Sequence, residues 1–320
     1  MKTTVVFHSA DYDGIFCREI ARKFLGDKDV EYIGWNFGDP QLKFPESGTV
    51  YVMDLPVDKP FGFEFSEPET VIGVFGDCHR IKEASRQLVW IDHHKTSIDT
   101  HPKEIPGYRI DGVAACRLAW QWFDWAIKNC GRESDPLPTK QDFIDRKVSE
   151  PLAVRLAGEY DIWDKRDQRA ETFQYALRAC DLTPTIWERL LRNEAASENA
   201  VFELLHDGEA AQKYSQKMDA ELVTRKSFRV KWEGLDFICL NTGRFNSLTF
   251  AALDKPETGH DALMGFMWNG KVWTVSLYHA KHNTGTDLSA IAVKHGGGGH
   301  RGACGFVCRE LPFKLEGSAP

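Results

Sequence analysis

The sequence has 320 residues, 42% hydrophobic and 27% charged, which excludes a disordered chain and gives enough length for two domains with separate cores. Its net charge of −7 excludes a sliding duplex binder held by many phosphate contacts. The charge is uneven. Residues 231–320 carry nine Lys/Arg against eight Asp/Glu, and residues 1–230 carry 31 against 39. Carboxylates clustered for divalent cations produce such an acidic first part, and so does a solvated acidic surface.

The opening MKTTVVFHSADYDG lacks an apolar run of signal-peptide length, and no apolar stretch is long enough to span a bilayer, so the expected compartment is the cytoplasm, without membrane contact. The eight cysteines form no CxxC pair and read as reduced, mostly buried residues. Cys304 and Cys308 follow His300 at metal-like spacing, but no fourth ligand accompanies them, so zinc is not expected there.

In chain order, residues 3–7 (TTVVF) form a short β-prone run, then a loop, then IFCREIARKFL with apolar residues at helical spacing. The alternation continues with VEYIGW, TVYVMDL (residues 49–55), TVIGVF (70–75), a helical IKEASRQ and LVWIDHH (88–94). Buried strands alternating with helices predict an α/β fold: a mostly parallel sheet with helices on both faces and ligands at the carboxyl ends of its strands. GVAACRLAWQWFDWAIK (112–128) predicts an amphipathic helix whose aromatic residues belong to the core, and RESDPLPT (132–139) a loop. Helical patterns follow at 148–156, 184–191 and 209–226. The texture then turns to strands in FRVKW, LDFICLN, DALMGFMW and KVWTVSLY, with WNGK a tight hairpin turn. The expected division is a first domain over 1–190, a helical connector over 191–227 and a smaller α/β domain over 228–320.

The strands end in chemistry. The first runs into His8, Asp11 and Asp13, a later one into Asp54, and another into Asp92, His93 and His94. Singly these have ordinary readings, as an N-cap, a turn former or a satisfied core cluster. Jointly, acidic groups and imidazoles converging on one sheet edge are costly to bury without cations among them. Oxygen-rich ligation with a minority of imidazole suits Mn²⁺ or Mg²⁺ better than a thiolate-type zinc site.

HSADYDG, an isolated Asp54 after a strand, Asp92-His93-His94 and GGGGHRGACGF near the carboxyl terminus, in this order, resemble the DHH/DHHA1 phosphoesterase family over nearly the whole chain. That family includes RecJ-like exonucleases, nanoRNases and cyclic-dinucleotide phosphodiesterases. The resemblance implies a first domain with a dinuclear Mn²⁺ site and a DHHA1 domain that faces the metals across a cleft and grips the substrate. It implies one metal on His8, Asp11 and Asp54 and a second on Asp13, Asp54, His93 and Asp161, bridged by Asp54. Asp161, in AGEYDIWD, matches the family's fourth motif, with Asp164 as its rival. Asp92 would orient the site and His94 would approach the substrate phosphate. Two departures stand out. His8 precedes Asp11 by three residues, a spacing that varies among relatives, and Tyr278 stands where many relatives carry an arginine.

Consecutive glycines let backbone N–H groups turn toward an anion and let a phosphate or base lie against the chain. Gly297, Gly298 and Gly299 are therefore expected to bind substrate, with His300 and Arg301 adding charge-assisted contacts to a terminal phosphate. A flexible loop or a bare helix-to-strand turn is the other reading, disfavoured by the helical DLSAIAVK before the segment and the strand-like Gly305-Phe306-Val307 after it. The expected activity is two-metal phosphoester hydrolysis of a short substrate, a linear or cyclic dinucleotide or a short single-stranded oligonucleotide, by a monomer or homodimer. The alternatives are a phosphatase of bis-phosphorylated mononucleotides, a manganese pyrophosphatase, which should lack the GGGGH segment, and a nucleotide-sensing module without turnover.

Overall fold

The computed structural model describes residues 2–36, 39–43, 47–57, 86–128 and 136–315. The chain divides into two compact units, Met1–Ala211 and Gln212–Pro320. The strand expected at 70–75 lies outside the described residues, as does most of the helix expected at 81–87; its last two residues, Arg86 and Gln87, begin a strand.

Five parallel strands form the first unit's sheet: β1 (Thr3–His8), β2 (Val30–Trp35), β3 (Gly48–Met53), β4 (Arg86–Asp92) and β5 (Gly107–Arg109), in the order β2-β1-β3-β4-β5. The pleat sends alternate residues to opposite faces. Val5, Tyr51, Met53, Val89 and Ile91 enter one core, and Val6, Val50, Val52, Leu88 and Trp90 enter another. The first core is completed by α1 (Tyr12–Leu25), α3 (Ala115–Lys128), α5 (Leu152–Asp161), α6 (Arg169–Ala179) and α7 (Pro184–Leu190). Between α1 and α7 lie the short α2 (Lys95–Thr100) and α4 (Lys140–Ile144), and α8 (Glu194–Lys226) follows. The chain leaves β1 for one neighbour and later returns to its other side, so the carboxyl ends of β1 and β3 flank the point where strand order reverses.

The helix expected at 148–156 is displaced. Pro151 stands at the cap with φ −59°, where its missing N–H costs no helical bond, so α5 starts at Leu152 and runs on to Asp161. β5 was not expected from the sequence.

In the second unit, β6 (Phe228–Trp232), β7 (Leu235–Asn241), β8 (Ala262–Trp268), β9 (Trp273–His279), β10 (Gly298–His300) and β11 (Ala303–Cys308) make a mixed sheet in the order β10-β11-β9-β8-β7-β6. Only β7 and β8 pair in parallel. The expected hairpin after β8 closes through Asn269, whose N–H bonds Val272 O and whose side chain accepts from Lys271 and Val272 N–H groups. Helix α9 (Leu288–Lys294), capped by Asp287, buries Leu288 and Ala292 on one face of the sheet.

Candidate metal centre

The carboxyl ends of β1, β3 and β4 lead into polar side chains. After β1, Asp11 caps α1 by accepting the Gly14 N–H at 3.1 Å. Gly14 is required here, because a Cβ would lie 1.8 Å from the His8 carbonyl oxygen over which the helix starts. Asp13, buried in the first turn, accepts the N–H groups of Ala115 and Cys116 at 2.8 Å each. These are the first donors of α3, whose preceding residue, Ala114, has no side chain able to cap it.

Asp54 follows β3 with φ +57°, a left-handed conformation that aspartate tolerates better than most residues. Its Oδ2 lies 3.5 Å from His8 Nδ1 and its Oδ1 3.4 Å from His93 Nε2. His8 Nδ1 also lies 2.9 Å from Asp11, and His93 Nε2 lies 3.4 Å from Asp161 and 3.7 Å from Asp13. Two groups result, His8–Asp11–Asp54 and Asp13–His93–Asp161, each with donor atoms within 4.8 Å of one another. Asp54 stands between them, one oxygen toward each histidine.

Asp161, at the end of α5, joins the cluster. Asp164 does not: its carboxylate pairs with Arg166 at 2.5 Å. Asp92 Oδ1 accepts the N–H groups of His93 and His94 at 2.8 and 3.3 Å and lies 2.7 Å from His94 Nδ1. That contact fixes the His94 ring with Nδ1 on the carboxylate side. Asp92 Oδ2 is buried with no hydrogen-bond partner among the described residues.

The electrostatics show what the cluster needs. Burial, then repulsion from Asp54 and Asp161, holds the Asp13 carboxyl well above the carboxylate range. Burial also lifts Asp161 to about 7; His93 opposes this, while Asp11 and Asp54 add to it. Burial presses His8 downward, but Asp11 and Asp54 outweigh it and raise the imidazole to about 10. His93 is raised in the same way, against its burial, by Asp54, Asp161 and Asp13. For Asp54, burial acts upward and the His8 and His93 contacts carry the carboxyl below its usual range. Buried carboxyls such as Asp13 and Asp161 that hold their protons above the usual carboxylate range are short of positive charge. Four carboxylates and two imidazoles without a thiolate are a donor set for hard divalent cations, so these residues fit Mn²⁺ or Mg²⁺.

The expected substrate-binding residues lie in the second unit. Gly298–His300 form β10, antiparallel to β11. A Cβ on Gly297 would lie 2.0 Å from the Gly305 carbonyl oxygen, and Gly299 has φ +127° with Cys304 Cα 2.7 Å from its would-be Cβ. The need for glycine at these two positions is thus internal to the hairpin. Gly298 is different: a Cβ there meets nothing within 4 Å. The Arg301 guanidinium donates to the Gly285 carbonyl, and Tyr278 sits opposite Ala303 on β9.

Sequence reasoning missed Gly14 and the α3 amides. The signal for the second was a strongly helical segment that begins without a capping residue of its own.

No family model matches the sequence, nor does any curated protein. Among solved structures, the chain is similar over 96% of its length, at 14% identity and a TM-score of 0.50, to the DHH domain of a protein described as a member of a family of ribosomal proteins, 82% of which is covered. It is also similar to RecJ in complex with Mn²⁺ from Thermus thermophilus (14% identity, 96% of this chain and 49% of that one, TM-score 0.48). A third similar structure is the pGpG-specific phosphodiesterase PggH from Vibrio cholerae (12% identity, 97% and 94%, TM-score 0.40). A parallel five-stranded unit with His/Asp clusters at its strand ends, followed by a mixed-sheet unit, is the DHH/DHHA1 fold, and this chain has it.

Proposed function

We propose that this protein is a two-metal phosphoesterase that hydrolyses short nucleotide phosphoesters, linear or cyclic dinucleotides and short single strands, with Mn²⁺ or Mg²⁺ at the acidic cluster. One observation carries the reading: Asp54 shares its two oxygens between His8 and His93 and so joins two donor groups of the kind that hold a pair of hard cations. When bound, such cations supply Lewis-acid charge stabilisation and the acidification of a water near neutral pH.

The chain's own residues supply the rest. Asp13, held by the α3 amides, and Asp161, at the end of α5, set the position of the second donor group. Asp92 orients His94 through Nδ1, so Nε2 is the nitrogen that meets a phosphate oxygen. Burial lowers the proton affinity of His94, but Asp92 more than compensates, so the ring holds a proton more tightly than a free imidazole. To the β10–β11 hairpin we assign contact with the substrate's phosphate, on the exposed positions of His300 and Arg301 and the open space beside half-buried Gly298.

The test is hydrolysis with Mn²⁺ of a panel comprising pyrophosphate, adenosine bisphosphate, 5′-phosphorylated dinucleotides, cyclic dinucleotides and longer single strands. Preference for the dinucleotides is expected. Cleavage of pyrophosphate alone would replace this reading with a pyrophosphatase, and binding without turnover would replace it with a sensor.

A further inference from the structure

The second unit contains another convergence of metal-ligating side chains, unconnected with the acidic cluster. Asp254 follows the 3-10 segment Ser247–Phe250, His260 lies two residues before β8, and His282 lies just past β9. Ala262 pairs with His279 in the antiparallel β8–β9 ladder, so the start of one strand and the exit of the other lie side by side. That register brings His260 and His282 together, and Asp254, which accepts the Lys281 N–H, joins them, with one donor atom from each within 4.8 Å of the others.

Hydrogen-bond accounting assigns the histidine tautomers. The Thr258 hydroxyl lies 3.0 Å from Leu253 O, 2.5 Å from Lys255 O and 2.7 Å from His260 Nδ1. A hydroxyl has one proton and carbonyls only accept, so in the arrangement where that proton goes to the nearer carbonyl, of Lys255, the hydroxyl accepts from His260 Nδ1–H. His260 Nε2 then carries the lone pair. It is buried, has no hydrogen-bond partner among the described residues, and lies 3.3 Å from Asp254 Oδ1. The Asp254 carboxylate already accepts the Lys281 N–H, at 3.1 Å through Oδ1 and 3.3 Å through Oδ2. Two electron-rich atoms therefore face each other inside the protein, in side chains that are 0% and 3% exposed. A divalent cation between them would satisfy both.

His282 completes the set. Its Nε2 lies 2.7 Å from the His260 carbonyl, which can only accept, so Nε2 is protonated and Nδ1 bears the lone pair. His282 is exposed, which gives the site an approach from solvent. We propose that Asp254, His260 and His282 form a binding site for a zinc-class divalent cation, separate from the acidic cluster of the first unit. Two imidazoles and one carboxylate are a borderline donor set, suited to Zn²⁺ with water in the fourth position, and poorer in oxygen than Mg²⁺ or Ca²⁺ require. The bound ion clips the Asp254–His260 loop to the exit of β9.

The test is the zinc content of the full-length protein after equilibration with micromolar Zn²⁺ and gel filtration, for wild type, Asp254→Asn, His282→Ala and, as a control in the other cluster, Asp54→Asn. Wild type and Asp54→Asn should each retain a zinc equivalent that Asp254→Asn and His282→Ala both lose. Titration with Co²⁺ should give visible absorption that is absent in the same two variants. Asn at 254 keeps an acceptor for the Lys281 N–H, and His282 is at the surface; if Asp254→Asn unfolds, His282→Ala alone decides. Equal zinc content in wild type and a folded His282→Ala would overturn the proposal and assign the Asp254–His260 contact to an imidazolium–carboxylate pair. Phosphoester hydrolysis is not read in this experiment, so the result is independent of the catalytic assignment.

Discussion

Asp13 accepts the backbone N–H of Ala115 at 2.8 Å across 102 residues of sequence, and so caps a helix that has no cap of its own. The same carboxylate belongs to the metal cluster. Its two duties separate in the metal-free protein. Asp13→Ala should lower stability in EDTA by about 1–3 kcal/mol, the cost of losing hydrogen bonds from buried helix-terminal donors to a carboxyl. Denaturant unfolding measures this. An unchanged midpoint in EDTA would leave Asp13 with a metal-binding duty alone.

Metal occupancy should depend on Asp54 at both positions, because its oxygens face His8 and His93 separately. Asp54→Asn should lose Mn²⁺ from both, measured by elemental analysis of the folded variant. Retention of two tightly held ions would remove Asp54 from between them. Chelation of the wild-type protein should abolish hydrolysis, with activity restored by added Mn²⁺.

The cluster's protons give a pH dependence with a defined sign. The folded-state value of Asp161 is about 7, against an ordinary 3.8, so across that window the folded chain keeps a proton that the unfolded chain has released. The stability of the metal-free protein therefore falls as pH rises from about 4 to 7. His8, raised from 6.5 to about 10, adds stability that is complete below 6.5 and disappears as pH rises through 10. Both trends weaken the metal-free form at higher pH, and cations replace the protons. The rise in Tm on adding Mn²⁺ should be larger at about pH 8 than at about pH 6, and Asp161→Asn should flatten the metal-free slope between about pH 4 and 7. A Mn²⁺ shift independent of pH would contradict the proton inventory.

Contiguous or periodic signals were legible in the sequence. β1 and β4 read as apolar runs, Asp92-His93-His94 as a motif at a strand end, and DLSAIAVK as the helix that became α9. Signals that depend on remote partners were not. β5 has only three residues, too few for a period, and exists because Gly107–Arg109 pair with β4. The choice between Asp161 and Asp164 turned on whether Arg166 would take one of them, which spacing does not show. Asp254, His260 and His282 belong to no motif; the β8–β9 register sets His260 beside the exit of β9, and the Lys281 N–H holds Asp254 against them. The glycine run was legible as a close approach of backbone, but at Gly297 and Gly299 what approaches is the neighbouring strand of the same hairpin.

Gly298 separates a structural role of that run from a substrate-binding one. Gly297→Ala should destabilise the second unit, since its Cβ would fall 2.0 Å from the Gly305 carbonyl oxygen, and backbone cannot yield as a flexible side chain can. Gly298→Ala meets nothing within 4 Å, so its thermal unfolding should match wild type. If a phosphate lies against this strand, the added methyl should still raise KM for 5′-phosphorylated dinucleotides. His300→Ala, at an exposed position, should likewise keep the fold and both Mn²⁺ ions while losing a charge-assisted hydrogen bond worth roughly 1.5–3 kcal/mol, about tenfold to a hundredfold in kcat/KM. Dephosphorylated dinucleotides should be less affected, and bis-p-nitrophenyl phosphate, which depends mostly on the metals, less still. Equal losses on all three substrates in His300→Ala, together with unchanged kinetics in Gly298→Ala, would show that the hairpin does not select the substrate and that its glycines serve the fold alone.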